Sequence, residues 1–234
     1  MNNAPIGVFD SGVGGISTLH ACMDALKNES FVYLADRSGM PYGNKSHGEI
    51  ASRVDACVET LLAEKVKAIV VACNTATNVG IKMLREKYRI PFVGVEPAVK
   101  PAVEACKHGN ILVLLTVATA AQSKFQELVS RWDNGRLIIA PQHDLAEQVE
   151  NRIDDISALR CEVHKILSRY RRVEGVVLGC THYVFLRPLI DEFYDGRIKI
   201  FDSGVGAAKR LGFLIKENAL ETDSYRRSLK FLVI

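Results

Sequence analysis

Two of the six cysteines, Cys73 and Cys180, stand in polar company: Cys73 precedes Asn74 and Thr75, and Cys180 precedes Thr181 and His182. An unperturbed thiol has a pKa of about 8.5, so modest tuning makes either its acid or its base form available near neutrality. A pair of such groups on opposite faces of a carbon centre inverts it. One thiolate removes a proton from one face, and the opposite thiol returns a proton to the other. The hydrogen α to a carboxylate is a very weak acid. The carbanion therefore needs donors to the carboxylate, exclusion of water and accurate placement. Ser11, Asn74, Thr75, Thr116, Thr119 and Thr181 are candidate donors. A redox dithiol is the competing use of two cysteines. Substrate must fit between two opposed bases, so the proton-transfer reading predicts no disulfide. Cys22, Cys57, Cys106 and Cys161 fall in helical or helix-end stretches and are expected to be inert, buried small hydrophobes.

Positioning these residues is the task of an alternating chain. Short Val- and Ile-rich runs at Pro5 to Asp10, Phe31 to Ala35, Lys67 to Ala72, Phe92 to Val95, Ile111 to Leu115, Arg136 to Ala140, Val173 to Gly179 and Ile198 to Asp202 read as strands. Between them Ser17 to Lys27, Glu49 to Glu64, Ala76 to Lys87, Gln122 to Ser130, Ser157 to Tyr170, Leu186 to Phe193 and Val205 to Lys216 have helical period. Strand and helix in alternation predict an α/β fold with mostly parallel sheets flanked by helices. Loops after the strand C-termini of such sheets build ligand sites. Four polar clusters fall there: Asp10-Ser11-Gly12, Cys73-Asn74-Thr75, Thr116 to Thr119, and Cys180-Thr181-His182. Gly12, Gly14 and Gly15 permit close backbone approach and N–H groups aimed at an anion, a carboxylate being the natural guest. A nucleotide is the weaker guest, because Ser17 replaces the third fingerprint glycine and no Walker lysine follows.

Two signals recur. Phe9-Asp-Ser-Gly12 returns as Phe201-Asp-Ser-Gly204, and Val71-Ala-Cys-Asn-Thr75 is echoed by Leu178-Gly-Cys-Thr-His182. Asp10 precedes Cys73 whereas Asp202 follows Cys180, which suggests two similar lobes with the C-terminal segment crossing back to complete the first. The 234 residues, 48% hydrophobic, suffice for one large core or two modest ones. A formal charge of +3 is too mild and dispersed for a nucleic-acid partner, and the basic run Arg169-Tyr-Arg-Arg172 reads as the solvated end of a helix. The apolar runs are far too short to span a membrane, so a cytoplasmic protein with reduced thiols is expected. Neither C-x-x-C nor H-x-x-x-H spacing occurs, so no metal site is expected.

Taken in order, Ile6-Gly-Val-Phe-Asp-Ser-Gly-Val-Gly-Gly15, Pro41-Tyr-Gly43, Ala72-Cys-Asn-Thr-Ala76, Val95-Glu-Pro97, Leu178-Gly-Cys-Thr-His-Tyr183 and Asp202-Ser-Gly204 resemble the aspartate/glutamate racemase superfamily, and within it the glutamate branch. The resemblance covers nearly the whole chain. It implies two similar α/β lobes, 1–96 with 204–234 and 97–203, enclosing the substrate between them. It also implies conversion of L-glutamate to D-glutamate without pyridoxal phosphate, other cofactor or metal, in supply of bacterial peptidoglycan. By position, Cys73 would act on the D-enantiomer with help from Asp10, and Cys180 on the L-enantiomer with help from His182 and Glu150. Glu147 competes with Glu150 for that role. Ser11, Pro41, Tyr42, Gly43, Asn74, Thr75, Thr119 and Thr181 match substrate-contacting positions. A homodimer is the expected assembly.

Departures from the pattern include Ala140 where a cysteine is common and Val184 in place of a proline. Leu229 to Ile234 looks like the start of a late strand, and the segment and helix that usually follow it are missing, which would weaken the first lobe. With the first motif at Ile6, no N-terminal extension that binds a cell-wall precursor activator is expected. Rival readings are an aspartate or hydantoin racemase or a maleate-type isomerase, and a binding or regulatory protein that kept the fold and lost the reaction.

Overall fold

A parallel strand covered on both faces has no solvent side to make polar, which is why the central strands of this chain are continuous apolar runs. The computed structural model describes residues 2–224 and 226–234; positions 1 and 225, within the range expected for the first lobe, lie outside the described residues. In chain order the elements are β1 (Ile6–Asp10), α1 (Ile16–Ala25), β2 (Phe31–Ala35), α2 (His47–Ala63), β3 (Ala68–Val71), α3 (Asn74–Lys87) and β4 (Phe92–Gly94). There follow α4 (Val99–Ala105), β5 (Ile111–Thr116), α5 (Val117–Ala120), α6 (Ser123–Trp132), β6 (Leu137–Gln142), α7 (Leu145–Asn151), α8 (Arg160–Leu167), β7 (Gly175–Leu178), α9 (Arg187–Phe193) and β8 (Lys199–Phe201). The chain ends with α10 (Gly204–Glu217) and β9 (Leu229–Val233).

These elements form two compact units, Met1–Val95 with Gly204–Ile234, and Glu96–Ser203. The first holds a parallel sheet in the order β4-β3-β1-β2-β9, and the second a parallel sheet in the order β6-β5-β7-β8. Period-two alternation splits each sheet's side chains between two cores. Phe9 and Val71 face one side of the first sheet, with α2 and α3, whereas Ile6, Val8 and Val70 face the side covered by α1 and α10. In the second sheet Leu112 and Leu114 face α7, α8 and α9, while Ile111, Val113 and Leu115 face α4 and α6. Full burial of each such side chain contributes about 1.5–3 kcal/mol before entropy is counted.

Without β9, the first sheet reads β2-β1-β3-β4, and β6-β5-β7-β8 is the same order one lobe later. By this correspondence β3 matches β7, so the cysteine echo occupies equivalent places: Cys73 follows β3 and Cys180 follows β7. The other echo does not. Phe9-Asp-Ser-Gly12 leaves β1, but Phe201-Asp-Ser-Gly204 leaves β8, whose counterpart is β4. The shared tetrapeptide is therefore no mark of duplication.

The late strand anticipated at Leu229 to Ile234 is β9, paired in parallel with β2. Several helices had no sequence signal. Pro101 lies in the first turn of α4, where a missing N–H is tolerated, so a segment to which the sequence pattern assigns no element is helical. The stretch expected as one helix from Ser157 to Tyr170 is α8 flanked by 3-10 turns at Ile153–Leu159 and Ser168–Tyr170. Arg169, Arg171 and Arg172 are exposed there, as expected of a solvated helix end.

Candidate active site

Cys73 is the N-cap of α3. Its Sγ accepts the Ala76 N–H at 3.5 Å and lies 3.7 Å from Ser11 Oγ. Amide groups at the start of a 14-residue helix carry partial positive charge, a setting that favours negative charge on sulfur. The Ala72 N–H donates to the Phe9 carbonyl, so Asp10 leaves β1 one residue before Cys73 leaves β3. Asp10 is fully buried and its Oδ1 accepts the Gly12 N–H at 2.9 Å. That N–H, expected to face an anion, is thus engaged within the loop. The Tyr33 hydroxyl holds the same loop through the Gly12 carbonyl at 2.7 Å. Gly15 is packed so closely that a Cβ would stand 2.6 Å from Asp10 Cβ. Asn74 and Thr75 are buried at the start of α3, and among the described residues neither the Asn74 amide oxygen nor its nitrogen has a hydrogen-bond partner. Unpaired buried amides are costly, so this one is suited to an incoming polar group.

Pro41, Tyr42 and Gly43 lie on the loop after β2, with Tyr42 buried and Pro41 and Gly43 half-buried. The Tyr42 hydroxyl donates to Asp36 Oδ2 at 2.6 Å. Burial, with the nearby Cys57 thiol and Asp36 carboxylate, pushes the Tyr42 phenol above its usual range. Burial alone would raise the Asp36 carboxyl, but hydrogen bonds from Arg53 and Tyr42 outweigh it and hold that group below its ordinary value.

In the second unit a row of buried groups runs from sulfur to carboxylate. Cys180 Sγ is 3.9 Å from His182 Nδ1, and His182 Nε2 is 2.7 Å from Glu150 Oε2. Glu150 lies on α7 and is buried; Glu147, one turn earlier, is exposed. With Glu150 on one ring nitrogen, the imidazole can exchange a proton with the thiol through the other, and the carboxylate stabilises its cationic form. Thr181 is buried beside this row. Thr116 caps α5: its Oγ1 accepts the Thr119 N–H at 3.2 Å and donates to Thr119 Oγ1 at 2.9 Å.

All six cysteines are free thiols. Burial pushes Cys22 and Cys57 up to about 12 and raises Cys106 as well, in keeping with inert roles. Cys161 corrects the expectation of burial: it lies on the outer face of α8 and is exposed. Among the described residues, no group of three or more His, Cys, Asp or Glu side chains could hold a metal ion, and no helix is long and apolar enough to cross a membrane. Sequence reasoning missed Asp36 and its partner Arg53. Asp36 is a polar residue directly after β2, the same strand-end signal that marks Asp10.

A family model described as Asp/Glu/hydantoin racemase matches residues 6–211. The chain belongs to this racemase family. Among family members, the glutamate racemase of Clostridium novyi (strain NT) is 39% identical over 97% of this chain and 89% of its own length. That of Clostridium perfringens (strain 13 / Type A) is 36% identical over the same shares. The crystal structure of glutamate racemase isoform RacE1 from Bacillus anthracis superimposes with a TM-score of 0.88 at 30% identity, covering 100% of this chain and 89% of the other. The Escherichia coli glutamate racemase, solved with L-glutamate and the activator UDP-MurNAc-ala, gives 0.86 at 28% identity over 98% of both chains. An aspartate racemase from Picrophilus torridus shares the fold at 20% identity and a TM-score of 0.60.

Proposed function

We propose that this chain interconverts L- and D-glutamate by two-base proton transfer at the α-carbon, without a cofactor, with Cys73 and Cys180 as the two bases. One observation carries the reading: two thiols occupy equivalent strand ends of two lobes of the same strand order, each with its own polar partners. From D-glutamate, Cys73 removes the α-proton with help from Asp10, and Cys180 delivers a proton to the other face. From L-glutamate the roles exchange, and His182 with Glu150 draws the proton from Cys180. Between the two transfers the carbanion is held by donors to its carboxylate. Asn74 fits that task through its unpartnered amide, and Ser11, Thr75, Thr119, Thr181 and the Pro41–Gly43 backbone are the further donors. Thr116 acts through Thr119, which its hydroxyl orients.

Glutamate is favoured over aspartate or a hydantoin because the relatives at 36% and 39% identity are glutamate racemases, whereas likeness to the aspartate racemase lies in the fold. Supply of D-glutamate for peptidoglycan, a cytoplasmic location and a homodimer belong to the same proposal. The test uses purified protein with chelator and without pyridoxal phosphate, in heavy water. L-Glutamate should convert to the D-form with one solvent deuterium at the α-carbon, and aspartate and hydantoins should turn over far more slowly. Unchanged optical activity with no deuterium uptake, in folded protein, would sink the reading.

A further inference from the structure

The loop after β2 carries Pro41, Tyr42 and Gly43, yet it has little regular structure of its own, only 3-10 turns at Arg37–Gly39 and Tyr42–Asn44. One carboxylate gathers it. Asp36, fully buried, accepts from the Tyr42 hydroxyl at 2.6 Å, the Gly39 N–H at 3.1 Å, the Ser38 hydroxyl at 3.4 Å and Arg53 Nε at 2.7 Å. Arg53 reaches in from α2 with both arms of its fork, its Nη2 bonding Asp36 Oδ1 at 2.5 Å and the Ser38 hydroxyl at 2.6 Å. The guanidinium fills the space beside residue 39: a Cβ on Gly39 would stand 2.0 Å from Arg53 Nε and 2.4 Å from Asp36 Oδ2. On the opposite side the Ser38 N–H donates to the Ile234 carbonyl at 3.0 Å.

We infer that Asp36 and Arg53 are positioning residues for substrate: they hold the Tyr42 hydroxyl inward and so fix the Pro41–Gly43 backbone in the conformation that binds glutamate. The inference rests on the proposed function and deepens it by assigning residues that touch no substrate. The Tyr42 side chain then acts through the loop, because its one polar atom faces Asp36. A planar bidentate fork is what this geometry uses, so lysine is a poor substitute for Arg53.

The test compares wild type with Tyr42→Phe, Arg53→Lys and Arg53→Met. Tyr42→Phe removes a single hydroxyl and keeps the ring, so it folds if any variant does. The KM for glutamate should rise about tenfold, as expected for one hydrogen bond to a charged group, with kcat changed little. Arg53→Lys should fall between wild type and Arg53→Met. Amide hydrogen exchange should accelerate across residues 37–44 and stay unchanged in β1, β3 and α3. A folded Tyr42→Phe protein with wild-type KM overturns the inference. So does a fall in kcat alone that tracks the fraction folded, which is the mark of a merely structural contact. Wild-type protein that leaves glutamate untouched refutes the proposed function instead, and the clamp then stands or falls on the exchange data alone.

Discussion

Glu150→Gln keeps the shape of a side chain and deletes its charge. In the native structure Glu150 Oε2 lies 2.7 Å from His182 Nε2, and both side chains are almost wholly buried, so solvent screens the pair poorly. A hydrogen bond to a charged group contributes about 1.5–3 kcal/mol, which at ~1.4 kcal/mol per decade is a roughly 10- to 150-fold loss in kcat/KM. The enantiomers have equal free energy, so kcat/KM must fall by the same factor in both directions. Isotope effects reveal the face on which the loss arises. Rates are measured by circular dichroism with α-protonated and α-deuterated substrate, in light and heavy water. From L-glutamate, abstraction by Cys180 becomes fully rate-limiting and the substrate isotope effect rises. From D-glutamate, return of the proton from Cys180 limits the rate, so the substrate effect shrinks and the solvent effect grows. A folded variant that keeps kcat/KM within about twofold, or that shows the reverse pattern of isotope effects, refutes the assignment of this relay to Cys180.

Cys73→Ala and Cys180→Ala should each abolish racemisation in both directions, because the cycle needs both groups; near-normal turnover in either would show that its cysteine is misassigned. Thiol labelling of native protein followed by peptide mass mapping should mark Cys161 first and leave Cys22 and Cys57 unmodified, since burial holds those two at about 12. Glu174 accepts backbone N–H bonds from Gly109, His108 and Lys107, and these lower its carboxyl from 4.5 to about 2. A depressed folded-state pKa stabilises the fold above 4.5, and this is lost as pH falls towards 2. Urea titrations across that window should therefore show a shallower pH dependence in Glu174→Gln than in wild type.

What the sequence made legible was whatever a local pattern encodes. Strand runs such as Phe31 to Ala35 stand out because both faces of a parallel sheet are apolar, and Cys73 and Cys180 stand out because polar residues follow them at strand ends. Short elements carry too few turns for periodicity to register, so α5 and α7 leave no periodic signal in the sequence. Sequence alone does not separate Glu150 from Glu147, because both lie on α7 and burial of one against His182 is a tertiary fact. Asp36 and Arg53 are 17 residues apart, and nothing local marks them as one unit. The repeated Phe-Asp-Ser-Gly was the opposite case, a clear local signal that falls on strands with no structural correspondence.

The correspondence that does hold accounts for the different helpers proposed for the two cysteines. β1 ends in Asp10, beside the strand that leads to Cys73; its counterpart β5 ends in Thr116, a neutral cap for α5. A carboxylate partner for Cys180 therefore cannot come from the equivalent place. It comes through His182, two residues along the chain, and Glu150 on α7. Cys73 in turn has the amides of a long helix where Cys180 precedes only a 3-10 turn. If each helper serves its own thiol, Asp10→Asn must be the mirror image of Glu150→Gln: the substrate isotope effect should rise from D-glutamate and shrink from L-glutamate. An equal effect on both faces would mean that Asp10 instead holds the glycine loop through Gly12, and a pattern matching that of Glu150→Gln would exchange the assignments of the two cysteines.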